Sequence, residues 1–296
     1  MADSVGVYMS FTTIGQIKKG MKNVRESKQF EKGSLSNIEQ VFIFGLDVKR
    51  KAKKKIKISP AFTGASKEKL KRGESVADFS KIVIDRDFLL DIFKKICEIR
   101  ATFGSGNKQS LSKFMKAIKN GKIDFMKLQK NVATSNQKYF SSISKKIGIN
   151  RELLYSIAFS VYKPIFELCA AEKQSFMEDY KWKKGSCPVC GTAAAMAKFE
   201  KEVGRRLLWC PLCGTEWVFR RIKCPFCDNE NQDSLRYFYL GEKSSYRVDV
   251  CDECKGYIKT VDERKRSKDE KTIFEAEDLM TIFLDTLAEK EGYKKF

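Results

Sequence analysis

The spacing of hydrophobic residues divides the chain into a helical first part and a strand-rich last part. Up to residue 180, apolar side chains recur at three- and four-residue intervals, which is the period of an α-helix with one buried face. The clearest apolar stripe consists of Leu154, Ala158, Val161, Ile165 and Leu168. Asp85 and Asn150 precede two such stripes, and their side chains are favourable N-caps. We therefore predict a mainly helical domain over residues 1–180, with a basic N-terminal part.

Two local patterns in this part predict more detail. Ser36 and Glu39 have the spacing of a capping box, and Gly45 is a plausible end for the helix that they would begin. The basic run from Lys49 to Lys57 predicts a solvated loop or a mobile arm.

After Cys187 the hydrophobic period changes from 3.6 to 2, which indicates β-strands. Residues 195–199 and 205–209 flank a turn, and so do 235–239 and 246–250, so each pair predicts a β-hairpin. We predict two tandem modules, 181–220 and 221–262, followed by one helix over 270–293. That helix would have Leu279, Ile282, Phe283, Thr286 and Leu287 on one face. The predicted fold class is α+β multidomain.

Cysteines flank both predicted hairpins as four Cys-x-x-Cys pairs. The pairs are Cys187/Cys190, Cys210/Cys213, Cys224/Cys227 and Cys251/Cys254. The chain contains no histidine, so a soft-metal site here must be all-thiolate, and eight cysteines make two such sites. The hairpins favour pairing of neighbours, the first four cysteines in one site and the last four in the other, although a nested pairing is also open.

Tetrathiolate geometry suits iron and zinc alike, and the spacing does not choose between them. Each module is too small to fold on its apolar core alone, so a structural role for the metals is one interpretation and redox chemistry is the other. Because histidine is absent, histidine-based acid–base or triad catalysis is excluded, and we predict that the protein is not an enzyme. Cys97 and Cys169 continue apolar helix faces and are predicted to be buried, inert thiols.

The charge distribution argues against a nucleic-acid ribbon. Of the net charge of +20, residues 1–150 contribute +19, from 32 Lys and Arg against 13 Asp and Glu, and residues 151–296 contribute only +1. The basic excess therefore lies away from the cysteines, and nucleic-acid binding becomes a minor alternative. Paired cysteines suit a reducing cytoplasm, and we expect neither a membrane span nor a secretory signal.

The residues around these cysteines resemble those of a known protein family. They are Cys187-Pro188-Val189-Cys190-Gly191, Cys210-Pro211-Leu212-Cys213-Gly214-Thr215-Glu216-Trp217, Arg220, Cys224, Cys227, Tyr237-Phe238-Tyr239, Arg247, Cys251-Asp252-Glu253-Cys254 and Tyr257-Ile258-Lys259-Thr260. Together with the closing helix they resemble the formate dehydrogenase accessory protein family, FdhE. The resemblance is specific over residues 182–296 and weaker over 73–100 and 149–172.

The resemblance implies a helical domain, two rubredoxin-like modules of the zinc-ribbon kind that hold two metal ions, iron or zinc, and a maturation role. The implied partner is the catalytic subunit of a formate dehydrogenase, which the accessory protein would contact in a chaperone-like way during assembly. The motif match adds Glu216, Trp217 and Arg220 as residues that contact the partner or support the first site, and for Trp217 a core role weighs equally. A rubredoxin-like electron-transfer or thiol-redox protein is the alternative function.

Overall fold

A computed structural model describes residues 7–9, 13–26, 32–58, 66–103, 108–173, 180–239, 241, 244–267 and 270–296. The first part is mainly helical, as predicted. Its elements are β1 (Val7–Met9), α1 (Ile14–Glu26), α2 (Lys32–Ala52), β2 (Ile56–Ile58), α3 (Ser66–Lys71), β3 (Ile82–Ile84), α4 (Arg86–Phe103), α5 (Lys108–Lys119), α6 (Phe125–Ala133), α7 (Gln137–Ile147) and α8 (Arg151–Ala171).

Helix starts follow the N-caps that the sequence indicates. The Asp85 carboxylate accepts a hydrogen bond from the Phe88 amide at 2.8 Å, and the Asn150 side chain accepts one from Leu153 at 2.9 Å. Each bond satisfies a backbone donor that the first turn leaves without a partner. Both predicted caps are therefore confirmed.

Helix α8 forms the centre of the helical domain. It packs against α2, α4, α6 and α7. Of its predicted stripe, Leu154, Ala158, Val161 and Ile165 are fully buried and Leu168 is half-buried. By length and composition α8 could also cross a membrane, but 61% of its apolar window is buried inside the protein. This burial is what the core helix of a folded domain shows.

Two local predictions for the N-terminal part are wrong. Helix α2 runs without a break through Ser36 and Gly45, so neither residue marks a helix end. The basic run is ordered: its first residues end α2, and Ile56–Ile58 pairs with Ile82–Ile84 as a two-stranded sheet. Lys49 is not solvated, since its ammonium lies 2.5 Å from the Glu167 carboxylate and only 19% of its side chain is exposed.

The cysteine-rich part forms the larger sheet. Its strands are β4 (Met196–Phe199), β5 (Arg206–Trp209), β6 (Thr215–Phe219), β7 (Leu235–Tyr239), β8 (Tyr246–Cys251) and β9 (Tyr257–Asp262). The strand order is β1-β6-β5-β4-β9-β8-β7, and every pairing is antiparallel except β4 with β9. The two predicted hairpins are β4–β5 and β7–β8. Each acquires a third strand, and the parallel β4–β9 pairing joins both modules in one continuous sheet.

The chain ends in two short helices, α9 (Phe274–Met280) and α10 (Ile282–Lys290), where the sequence pattern predicts one. The break at Thr281 lies over buried Lys259 of β9. The Lys259 ammonium donates to the carbonyl oxygens of Asp278 and Thr281, at 3.0 and 3.4 Å, and to the Asp285 carboxylate at 2.7 Å. A buried ammonium needs hydrogen-bond acceptors, and the break between the two helices provides them as carbonyl oxygens. The predicted apolar face is only partly buried, since Ile282 and Leu287 are exposed and Leu284 and Ala288 are buried instead.

Candidate metal centres

Each Cys-x-x-Cys pair forms a tight turn closed by a left-handed residue. The residue after the second cysteine has a positive φ in all four turns: 80° at Gly191, 70° at Gly214, 62° at Asp228 and 56° at Lys255. In three of the turns the amide of that residue donates to the carbonyl of the first cysteine, at 2.9, 3.0 and 3.2 Å for Gly191, Gly214 and Asp228. Glycine adopts this conformation without strain and aspartate tolerates it.

These turns bring the cysteines together in two groups of four. Cluster 1 contains Cys187, Cys190, Cys210 and Cys213, and cluster 2 contains Cys224, Cys227, Cys251 and Cys254. The grouping is the one expected from pairing of neighbours. Metal ligation by these residues stays a prediction, because the structure shows the sulfur arrangement alone.

The sulfur spacing fits a tetrahedral ion. In cluster 1, the sulfurs of Cys190 and Cys210 are 3.5 Å apart, and Cys213 lies 3.6 Å from both Cys187 and Cys190. The two measured separations in cluster 2 are 3.7 Å. Four sulfurs about 2.3 Å from a zinc ion are about 3.8 Å from one another, so either cluster could hold one ion with little movement.

Side chains near each cluster can stabilise thiolate charge. The hydroxyl oxygens of Thr192 and Thr215 lie 3.3 and 3.1 Å from the sulfurs of Cys190 and Cys213. In cluster 2 the Asn229 amide donates to the Cys251 sulfur at 3.5 Å. All three residues stand two positions after the second cysteine of a pair, a regularity that could have been found in the sequence and was missed.

The two clusters differ in exposure. Cysteines 187, 210 and 213 are buried in cluster 1, and burial raises the pKa of the Cys187 and Cys210 thiols, so a metal ion is needed to hold them as thiolates. In cluster 2, Cys227 is exposed. Although burial raises the pKa of Cys251, hydrogen bonds from the Cys254 amide and the Asn229 side chain lower it to about 7.

Cluster 1 is attached directly to the helical domain. The amides of Val76 and Ala77 donate to the carbonyls of Pro188 and Val189, at 3.0 and 2.8 Å. These carbonyls belong to the turn between Cys187 and Cys190. Loss of this turn would therefore also remove two hydrogen bonds that hold the domains together.

A buried group of charges contacts the second turn of cluster 1. The Lys163 ammonium donates to the Pro211 carbonyl at 2.8 Å, inside the second Cys-x-x-Cys turn, and lies 2.7 and 3.6 Å from the carboxylates of Glu167 and Glu275. Burial lowers the pKa of Lys163, but the two carboxylates outweigh burial and raise it. The lysine therefore stays charged and favours a cluster that is net negative.

The three non-cysteine candidates lie in different environments. Glu216 is buried in β6 and pairs with Lys198 at 2.9 Å, while Trp217 is fully buried and its indole donates to the Lys184 carbonyl at 3.1 Å. Arg220 has 68% of its side chain exposed and pairs with Glu230. Of the three, Arg220 is therefore the residue most accessible to a partner.

Cys97 and Cys169 are buried in α4 and α8 and belong to neither cluster. Burial raises the pKa of each thiol to about 12. They are neutral near pH 7, as the sequence pattern predicts for packing residues.

Comparison with known proteins identifies both modules. The FdhE central-domain model matches residues 186–221 and the FdhE C-terminal-domain model matches residues 222–296. "Protein FdhE homolog" of Aquifex aeolicus (strain VF5) is 34% identical over 151 residues, which is 50% of this chain and 52% of that protein. "Protein FdhE" of Escherichia coli O1:K1 / APEC is 35% identical over 120 residues, 40% of this chain and 37% of that protein.

The similarity in fold extends further than the similarity in sequence. The crystal structure of the FdhE protein from Pseudomonas aeruginosa superposes with a TM-score of 0.69 at 14% identity, over 97% of this chain and 96% of that one. The matched segments span about half of the length of the Aquifex relative and 37% of the Escherichia one.

Fold and site together define a class of protein: a helical domain followed by two four-cysteine β-modules that share one sheet. Over residues 186–296 the sequence is similar to the FdhE family, and the chain shares the fold of the FdhE protein from Pseudomonas aeruginosa.

Proposed function

We propose that the protein is a cytoplasmic accessory factor that binds the catalytic subunit of a formate dehydrogenase during its assembly and does not itself catalyse a reaction. The main support for the proposal is that the segments similar to the FdhE family are the ones that contain the clustered cysteines. The segments matched by the FdhE domain models, 186–221 and 222–296, contain all eight clustered cysteines. The parts similar to the family are thus the parts that build both candidate metal centres.

Within this function, the two clusters have different roles. Cluster 1 is structural: it is buried, and it connects the sheet to the helical domain through Val76 and Ala77. Cluster 2 is the more exposed centre and the one available for redox chemistry or metal exchange. All eight cysteines serve as ligands for two ions, iron or zinc, and Arg220 supplies an accessible partner contact.

Deletion and complementation test the proposal. In the native host, deletion of the gene should abolish or strongly reduce formate dehydrogenase activity, and the wild-type gene should restore it. Cys187→Ser should fail to restore activity, because three thiolates cannot complete cluster 1. Cys97→Ser, a buried cysteine outside both clusters, is the matched control and should restore it. Unchanged activity after deletion, in a host with no second gene of this family, would refute the proposal.

A second candidate function is electron transfer through cluster 2, which the exposure of Cys227 favours. A redox partner can approach cluster 2 through the exposed Cys227 side chain. Voltammetry of anaerobically purified protein should then show a reversible one-electron iron couple that disappears in Cys227→Ser and persists in Cys97→Ser. Stoichiometric zinc in both clusters would exclude this function.

A further inference from the structure

A basic cleft lies on the sheet face that the C-terminal helices leave open. Strand alternation places Tyr237 and Tyr239 of β7 on the same face as Asp249 and Arg247 of β8, their register partners. Residues 221–226, in the link between the modules, also line the cleft. The volume of the cleft is about 390 Å³, and Cys224 and Cys251 of cluster 2 are among its lining residues.

Positive charge dominates this cleft. Five arginines and Lys223 line it. Arg247 is paired with Asp249, Arg264 with Asp262 and Arg236 with Asp252, each at 2.7 Å. Among the residues that the structure describes, exposed Arg221 forms no ion pair. The five arginines are Arg206, Arg221, Arg236, Arg247 and Arg264.

The arginines are held in place by an aromatic ring. The guanidinium groups of Arg221, Arg247 and Arg264 lie 5.1, 4.4 and 5.1 Å from the centre of the Phe199 ring. Such cation–π contacts restrain long side chains before any ligand arrives. The Nε atoms of buried Arg206 and of Arg247 have no hydrogen-bond partner within the described ranges. The arginines of the cleft are therefore ordered, and, within the described residues, two of their N–H groups are unused as hydrogen-bond donors to an anion.

A free strand edge borders the cleft. Strand β7 ends the seven-stranded sheet, and none of the described strands pairs with its outer side. Tyr237 on this strand is 57% exposed. An extended peptide could add to β7 through main-chain hydrogen bonds, and alternate side chains of that peptide would then face the arginines.

We propose that this cleft binds an extended acidic segment of a partner protein, which pairs with β7 and places carboxylates on Arg221, Arg247 and Arg264. The proposal rests on the accessory function, and names the chemistry by which the partner is recognised. A peptide fits better than a small phosphate ligand, because the cleft is open along a strand edge and lined by tyrosine and arginine, as protein interfaces are. Small-molecule sites enclose most of their ligand. The bound segment would lie against cluster 2.

Fluorescence anisotropy with the full-length, anaerobically purified protein tests the site. The probe is a fluorescein-labelled octapeptide of alternating glutamate and valine. One matched peptide has glutamine for glutamate, and another has proline for valine, which keeps the charge and removes main-chain donors. Arg221→Glu is compared with Lys138→Glu, an exposed residue of α7 that gives the same change in net charge.

We expect the glutamine and proline peptides to bind at least about tenfold more weakly than the glutamate–valine peptide, because each loses one of the two recognition elements. Arg221→Glu should weaken binding about tenfold, since an exposed attraction becomes a repulsion, and Lys138→Glu should change it less than twofold. Equal binding of the three peptides, or equal effects of the two variants, would overturn the proposal. So would saturable binding of inorganic pyrophosphate without binding of the peptide.

These outcomes are separable from a failure of the proposed function. If deletion of the gene abolishes formate dehydrogenase activity but the peptide does not bind, the cleft proposal is wrong and the accessory function stands. If the peptide binds as expected but deletion leaves activity unchanged, the cleft stands and the formate dehydrogenase assignment is wrong.

Discussion

Substitution of Gly185 by alanine should destabilise the contact between the two metal modules. Gly185 lies just before cluster 1, and a Cβ at this position would lie 1.9 Å from the Pro225 carbonyl oxygen and 2.5 Å from its Cα, within the first turn of cluster 2. Real Cβ atoms essentially never come within 3.0 Å of such atoms, so the segments must separate by about 1.1 Å. Overpacking of this kind costs about 1–3 kcal/mol, and we expect about 2–3 kcal/mol because both sides are backbone.

Chemical denaturation of the metal-loaded protein measures this loss, and transfer of metal to a colorimetric chelator measures its effect on cluster 2. Gly185→Ala should lower the free energy of unfolding and release metal faster. Gly15→Ala in α1 is the matched control: the nearest atom to its Cβ is 3.8 Å away, and alanine should stabilise the helix by up to about 1 kcal/mol. A Gly185→Ala protein with wild-type stability and wild-type metal release would show that the close packing of the modules is misdescribed.

Three further predictions concern buried charge and thiol chemistry. Lys259→Met should lower the free energy of unfolding by about 3–5 kcal/mol in denaturation experiments, because it leaves the carboxylates of Asp278 and Asp285 without their buried partner. Lys295→Met removes a 40% exposed partner of the same carboxylates and should cost under about 1 kcal/mol. Similar losses in the two variants would contradict a buried ion pair at Lys259. A chelator should remove the first metal equivalent from cluster 2. Mass spectrometry after iodoacetamide treatment should then find Cys227 modified before any cysteine of cluster 1. The reverse order would contradict the greater exposure of Cys227. In the native protein at pH 8, iodoacetamide should not modify Cys97 and Cys169, because a pKa raised to about 12 keeps both thiols neutral. Denaturant should expose both thiols to the reagent. Modification in the native state would refute their burial.

Local chemistry in the sequence predicts a large part of the site. The change of hydrophobic period locates the boundary between helical and strand-rich parts, because a helix and a strand bury side chains at different intervals. Glycine or aspartate after a Cys-x-x-Cys pair predicts a left-handed turn, and three such residues adopt it at Gly191, Gly214 and Asp228. Lys255 adopts it too, although it is neither glycine nor aspartate and Gly256 follows it.

Long-range pairing is what the sequence could not supply. The parallel β4–β9 pairing joins strands about 60 residues apart, and no local pattern marks it. The break between α9 and α10 depends on Lys259 from another element, so the helical pattern of 270–293 alone predicts one helix. The sequence does not distinguish Lys49 from the solvated lysines around it, because its partner Glu167 is distant in the chain and only the fold brings the two together.

Native mass spectrometry of the tagged protein, purified without oxygen from its own host, tests the central claim most directly. The account predicts a chain that carries two metal ions, iron or zinc, and a second species in which this chain is bound to the catalytic subunit of a formate dehydrogenase. A chain without metal, with disulfides among the eight clustered cysteines and no formate dehydrogenase subunit in any complex, would contradict the account.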